Sequence, residues 1–159
     1  MNEIILDVCC GGRQFWFNKE NPNTIYMDNR VREKGHNYHR INHEVKPDIV
    51  ADFRKIPFDN NKFRLVVFDP PHIFAKNENG VITKQSGYLN KETWKVDLLK
   101  GFNECIRVLQ PEGVLVFKWN ECRIKKKEVL DLFPLKPLFG HPSGSKSKTH
   151  WLCFMKILE

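Results

Sequence analysis

The chain has 159 residues, of which 28% are charged and 41% hydrophobic, with a net charge of +7. That length holds one domain with a real core and excludes two ordinary ones, and the composition excludes a disordered or fibrous chain. The positive balance permits a polyanionic partner such as nucleic acid without requiring one.

The chain opens with the apolar run of residues 4–8, read as a buried strand entered at once. Residues 1–7 have no basic leader, and no apolar run approaches the roughly 20 residues that span a bilayer, so neither a signal peptide nor a membrane span is expected. Asp7 and the loop Cys9-Cys10-Gly11-Gly12 follow, where two glycines let the backbone approach a ligand. Residues 13–19 read as a short helix or irregular turn carrying Phe15, Trp16 and Phe17, broken by Asn21-Pro22-Asn23. A second strand over residues 24–27 ends at Asp28.

Residues 29–47 are polar and read as a loop with one helical turn. Its histidines, His36, His39 and His43, have no neighbouring cysteine and match no metal motif, so they read as a solvated face. A short strand over 48–51 closes on Asp52-Phe53, and a turn-rich connector leads to the continuous apolar run Leu65-Val66-Val67-Phe68. This run has the signature of a strand buried on both faces. It ends in Asp69-Pro70-Pro71-His72, where two prolines fix φ near about −65° and turn the chain out of the sheet.

Residues 72–91 form a long loop of the kind that serves as a lid. Residues 92–109 give the clearest helix, with Trp94, Leu98, Phe102, Cys105 and Leu109 at three- and four-residue steps. Gln110-Pro111-Glu112-Gly113 ends it, and Val114-Leu115-Val116-Phe117 reads as a fifth strand. A second amphipathic helix is expected over 123–133, with Lys125, Lys126 and Lys127 outward. A short strand from Leu138, a Gly/Ser/Lys loop over 141–148 and a last strand over 149–157 complete the chain. The order predicts a mostly parallel sheet covered on both faces, with one antiparallel strand near its end, in a single domain over residues 1–159. Five cysteines without a CxxC pair predict neither a zinc site nor a disulfide framework. Free thiols fit a reducing cytoplasm.

Asp28, Asp52 and Asp69 each follow a strand, and Asp7 stands beside the glycine loop. In a doubly wound sheet such strand ends converge on one crevice. Acids there can accept hydrogen bonds from ribose hydroxyls and an adenine amino group. With these residues go Ile56-Pro57-Phe58, Arg107-Val108-Leu109-Gln110-Pro111-Glu112-Gly113 and the terminal Thr149-His150-Trp151-Leu152-Cys153-Phe154. In that order the chain resembles the Rossmann-like, S-adenosylmethionine-dependent methyltransferases over nearly its whole length. The resemblance implies a doubly wound, mostly parallel seven-stranded sheet whose last strand is antiparallel. It implies cofactor contacts from Asp7, Cys9, Cys10, Gly11, Asp28, Asp52, Phe53 and Asp69. Two positions depart from the family's glycine loop, Cys9 and Arg13, where glycine is usual.

Asp-Pro-Pro followed by an aromatic looks like the signature of enzymes that methylate an exocyclic amino nitrogen. His72 stands here where that family usually has Tyr or Phe. The resemblance implies catalytic roles for Asp69, Pro70, Pro71 and His72, with S-adenosylmethionine as cofactor and no metal. Asp69 and the Pro70 carbonyl would accept from the target amino group, and His72 would stack on the base. Adenine in DNA is the expected target, ahead of RNA or protein. A module that binds without turning over is the alternative. Lys125, Lys126, Lys146 and Lys148 would contact phosphates. No target-recognition domain fits this length, so sequence specificity is expected to be slight, or to come from the 72–91 loop or a partner; a homodimer or a specificity partner is the expected assembly.

Overall fold

The computed structural model describes residues 4–157. The strands are β1 (Ile5–Asp7), β2 (Thr24–Asp28), β3 (Ile49–Val50), β4 (Phe63–Phe68), β5 (Leu109–Asn120), β6 (Phe139–Pro142) and β7 (Thr149–Met155). They form a seven-stranded sheet in the order β3-β2-β1-β4-β5-β7-β6. The first five pair in parallel, and β7 runs antiparallel between β5 and β6. The sequence order reverses between β1 and β4, which pair Leu6 with Val66 and Asp7 with Val67. The loops leaving these two strands therefore diverge and open a crevice at their carboxyl ends.

The helices are α1 (Val81–Ser86), α2 (Trp94–Val108) and α3 (Lys126–Leu130). α2 buries Trp94, Leu98, Phe102, Cys105 and Val108, the face its periodicity predicts. That face joins one core with Leu6, Met27, Val66, Phe68, Leu115, Phe117 and Phe154 from the sheet. Gly101 sets how closely the helix lies. A Cβ there would stand 2.5 Å from the Phe53 ring and 2.8 Å from Phe68. α3 adds Val129, and Phe133 beyond it stacks on Phe102 with ring centroids 4.0 Å apart.

The seven-stranded, mostly parallel sheet is as expected, and of the two readings of residues 13–19, a short helix or an irregular turn, the turn is the one that forms. Among the described residues no helix lies between β1 and β4 in the chain, and residues 13–19 are turns. α2 and α3 back one face of the sheet. On the other, Trp16 packs edge-on to Tyr26 at 5.2 Å and covers the buried Asp7 and Tyr26. Further along, β5 from Gly113 onward and β7 alternate between buried and half-buried positions, so Val114, Val116, Cys153 and Met155 keep partial contact with solvent. Arginines do the anchoring that helices would have done. Arg107 donates to the carbonyls of Ile56 and Phe58 and to Glu104, tying the β3–β4 connector to α2. Arg13 lies 3.8 Å over the Tyr26 ring and donates to the carbonyls of Lys19 and Lys46.

The element limits also differ. α1 lies inside the expected 72–91 loop, which folds back on itself through a Phe74–Leu89 bridge. α3 is shorter than residues 123–133 because Lys125 is extended, with φ −64° and ψ 139°, and the helix ends at Asp131. β5 begins at Leu109, and its register with β4 jumps between the Phe63–Leu109 and Leu65–Val114 pairs, which accommodates Gln110-Pro111-Glu112-Gly113. His43 is buried at 8% exposure, against its expected place on a solvated face. No described helix is long and apolar enough to cross a membrane.

Candidate active site

The loops after β1 and β4 face each other across a cavity of about 560 Å³, within the range of about 300–1,000 Å³ usual for ligand clefts. Cys9, Cys10, Gly11, Asp28, Asp52, Phe53, Asp69, Pro70, Pro71 and His72 all line it. Gln85 to Asn90, the end of α1 and the segment behind it, form part of the wall, so the long loop does face the cavity.

Asp7, Lys125, Lys126, Lys146 and Lys148 do not line it. Asp7 is fully buried, and its Oδ2 accepts from the Trp16 indole at 2.7 Å while Oδ1 has no partner among the described residues. Burial pushes its carboxyl up to about 7. The charges of Asp69 and Asp28 push the same way, and the Trp16 bond opposes them. Asn120 at the end of β5 pairs with Thr149, and the Glu121 N–H donates to the Lys148 carbonyl, so the β6–β7 loop borders the carboxyl edge of the sheet.

Asp28 and Asp52, two of the cavity's acids, are each tied to the arginine two residues later. Asp28 Oδ1 accepts from the Arg30 backbone N–H and Nε at 3.0 and 3.1 Å, and Oδ2 from Gly11 N–H and Arg30 Nη2 at 2.9 and 3.3 Å. Asp52 is held by Arg54 in the same way, with Nη2 at 2.6 Å from Oδ2, and Arg54 reaches on to Asp97 of α2. The Arg54 hydrogen bonds hold the Asp52 carboxyl below its ordinary range. The recurrence of Asp-x-Arg at Asp28-Asn29-Arg30 and Asp52-Phe53-Arg54 was the sequence signal for both pairs.

Asp69 leaves β4 with its side chain 22% exposed, and its Oδ2 accepts from Lys118 Nζ of β5 at 2.7 Å. Burial pushes the Asp69 carboxyl up, and the Lys118 charge opposes this. Oδ1 takes no hydrogen bond among the described residues. His72 packs edge-on to Trp119 at 6.3 Å. Burial, then the Lys118 charge, hold its imidazole below its ordinary pKa, so it is neutral at pH 7. Lys118, Arg30, Arg54 and His43 are cavity residues that sequence reasoning missed. For Lys118 the available signal was a lysine following the apolar run Val114-Leu115-Val116-Phe117 within the same strand.

Of the two departures in the glycine loop, Arg13 has a structural explanation. It takes φ +53°, the left-handed conformation that glycine adopts without strain, and its side-chain anchors to Tyr26, Lys19 and Lys46 offset a cost of about 1–2 kcal/mol.

No protein-family model matches the sequence, and a search of curated proteins returns no relative. Solved structures do match. The PH0226 protein of Pyrococcus horikoshii OT3 superposes with a TM-score of 0.60 at 18% identity, over 97% of this chain and 81% of its own. A SAM-dependent methyltransferase from Methanosarcina mazei gives 0.57 at 12% identity, over 98% and 92%. The N-methyltransferase NodS from Bradyrhizobium japonicum WM9 gives 0.59 at 13%, over 97% and 85%. The chain thus has the Rossmann-like α/β fold of the last two, both methyltransferase structures, with its cavity at the point where the strand order reverses.

Proposed function

We propose that the chain is an S-adenosylmethionine-dependent methyltransferase acting on an exocyclic amino nitrogen of a nucleobase, with adenine in DNA as the foremost substrate. The observation that carries this reading is the free Oδ1 of Asp69, in the wall of a cavity that the glycine loop also lines.

The residues of the cavity fit the cofactor. Cys9 to Gly12 offer backbone and small side chains, Phe53 an aromatic ring, and Asp28 and Asp52 carboxylates for hydroxyl and amino donors. Asp28 already accepts four hydrogen bonds, so ribose hydroxyls would take the place of the Arg30 side-chain donors. When bound, the cofactor supplies an electrophilic methyl group.

An exocyclic amino nitrogen is a poor nucleophile because its lone pair is delocalised into the ring. An N–H held by Asp69 Oδ1 and the Pro70 carbonyl would localise that lone pair and aim it. Asp69 then faces the positive charge that grows on nitrogen. The neutral His72 ring would stack on the target base. A base in a duplex must flip out to reach this depth. Lys125, Lys126, Lys146 and Lys148 would meet phosphates at the rim, consistent with the net charge of +7.

The test is transfer of labelled methyl from S-adenosylmethionine to duplex DNA, single-stranded DNA and RNA. Label on DNA adenine is the expected result, and label on RNA alone would move the substrate. Asp69→Ala should lower the single-turnover rate by roughly a hundredfold or more with cofactor affinity little changed, and Asp69→Asn should retain partial activity. Cofactor binding without transfer to any nucleic acid would overturn the reading in favour of a binding module. Parallel loss of melting temperature, affinity and rate in Asp69→Ala would mean that Asp69 only shapes its turn.

A further inference from the structure

We propose that Lys118 is a positioning residue for Asp69: it keeps the carboxylate ionised and engages one oxygen, so that the other is left for the target amino group. The proposal rests on the reading of Asp69 as the target's acceptor. Lys118 sits on β5, next to β4 in the sheet, and its ammonium meets Asp69 Oδ2 at 2.7 Å. Two aromatic rings flank the same ammonium, Phe15 at 5.3 Å and Trp151 at 5.6 Å, and these rings meet edge-on at 5.2 Å. Rings in this position hold a cation by their faces and offer it no competing carboxylate.

Asp69 needs such a partner. Burial pushes its carboxyl up, and its charge in turn raises that of Asp7 on the neighbouring strand β1. Cys9 on the following loop adds a thiol held neutral by burial, and His72 beyond Pro71 is neutral too. Lys118 is thus the one cation acting on Asp69 among the described residues. Without it, burial favours the protonated acid, which can no longer accept through both oxygens.

The choice of lysine also matters. Arginine carries a planar fork that takes both oxygens of a carboxylate, whereas lysine is a point charge that takes one. Lysine therefore fixes Asp69 and still leaves Oδ1 open. The paired carboxylate presents less net charge to the reacting nitrogen, so the contribution of Asp69 becomes more directional than Coulombic.

Carbon-13 NMR of the aspartate carboxyls tests this without a substrate, with Asp69→Asn assigning the Asp69 signal. Lys118→Met should raise the Asp69 titration midpoint by about one to three units. Lys118→Arg, which keeps the charge, should leave it near wild type. On a nucleic acid that accepts the methyl group, the acidic limb of kcat in Lys118→Met should move up by the same amount, and Lys118→Arg should turn over more slowly than wild type at every pH. An unmoved Asp69 midpoint in Lys118→Met overturns the proposal, as does one that rises equally in Lys118→Arg. Should Lys118→Met not fold, Lys118→Gln replaces it under the same criteria. If the wild type methylates no nucleic acid, the functional reading fails alone, because the carboxyl titration still decides the role of Lys118.

Discussion

Gly12 and His43 lie face to face: a Cβ on Gly12 would stand 2.9 Å from both Cδ2 and Nε2 of the imidazole. The ring is buried, and neither nitrogen has a hydrogen-bond partner among the described residues. Burial holds its pKa below the ordinary value. The Glu44 carbonyl, 3.3 Å from the same point, closes the other side. Gly12→Ala should therefore push the glycine loop and the His43 segment apart. We expect a lower melting temperature and cofactor affinity reduced about tenfold. His43→Ala in the same chain should recover part of both, because the two positions share one space. A Gly12→Ala protein with wild-type melting temperature and affinity would show that the loop relaxes freely.

Asp28→Ala removes the acceptor proposed for the ribose and leaves Arg30 without its carboxylate. Calorimetry should record a loss of about 1–3 kcal/mol in S-adenosylmethionine binding. Arg30→Ala should cost less, since the Gly11 N–H still holds Oδ2 at 2.9 Å. Unchanged affinity in Asp28→Ala removes Asp28 from the cofactor site.

His72→Ala should weaken use of the nucleic-acid substrate while cofactor affinity stays nearly constant. Stacking on a base contributes about 1–3 kcal/mol, so KM should rise about tenfold or more. His72→Tyr should preserve or raise activity. Equal rates and equal KM in both variants and the wild type would exclude a stacking role.

Asp7 gives the stability a pH dependence of its own. Its ordinary carboxyl value is 3.8, and in the folded chain it stands at about 7. Between these values the native state binds more protons than the unfolded one, so stability falls as pH rises from about 4 to about 7 and is level above. Asp7→Asn removes this slope. Urea unfolding of both proteins at pH 5 and pH 8 should show the wild type losing stability relative to Asp7→Asn at the higher pH. Parallel behaviour of the two proteins contradicts the protonation of Asp7.

Much of the fold was legible because its signals are local. The apolar steps of α2 announce a helix with one buried face, and the run Leu65-Val66-Val67-Phe68 announces a central strand. The acids after the strands were legible for the same reason, and Asp28, Asp52 and Asp69 do meet at one cavity. What was not legible depends on contacts between distant segments. Nothing near Trp16 says that its indole will bond Asp7, or that the turns of residues 13–19 will cover a sheet face. Lys118 and Asp69 are 49 positions apart, and only the pairing of β4 with β5 brings them together. His43 looked like one histidine among several on a polar loop until Gly12 was seen to leave it room.

The sheet's two outer strands carry a different consequence. On one side β3 has two residues, and on the other β6 has four and ends in Pro142, which has no N–H to offer. A strand from another molecule would find a very short ladder to continue at β3 and one interrupted by a proline at β6. Both outer edges are thus blunted against lateral growth of the sheet.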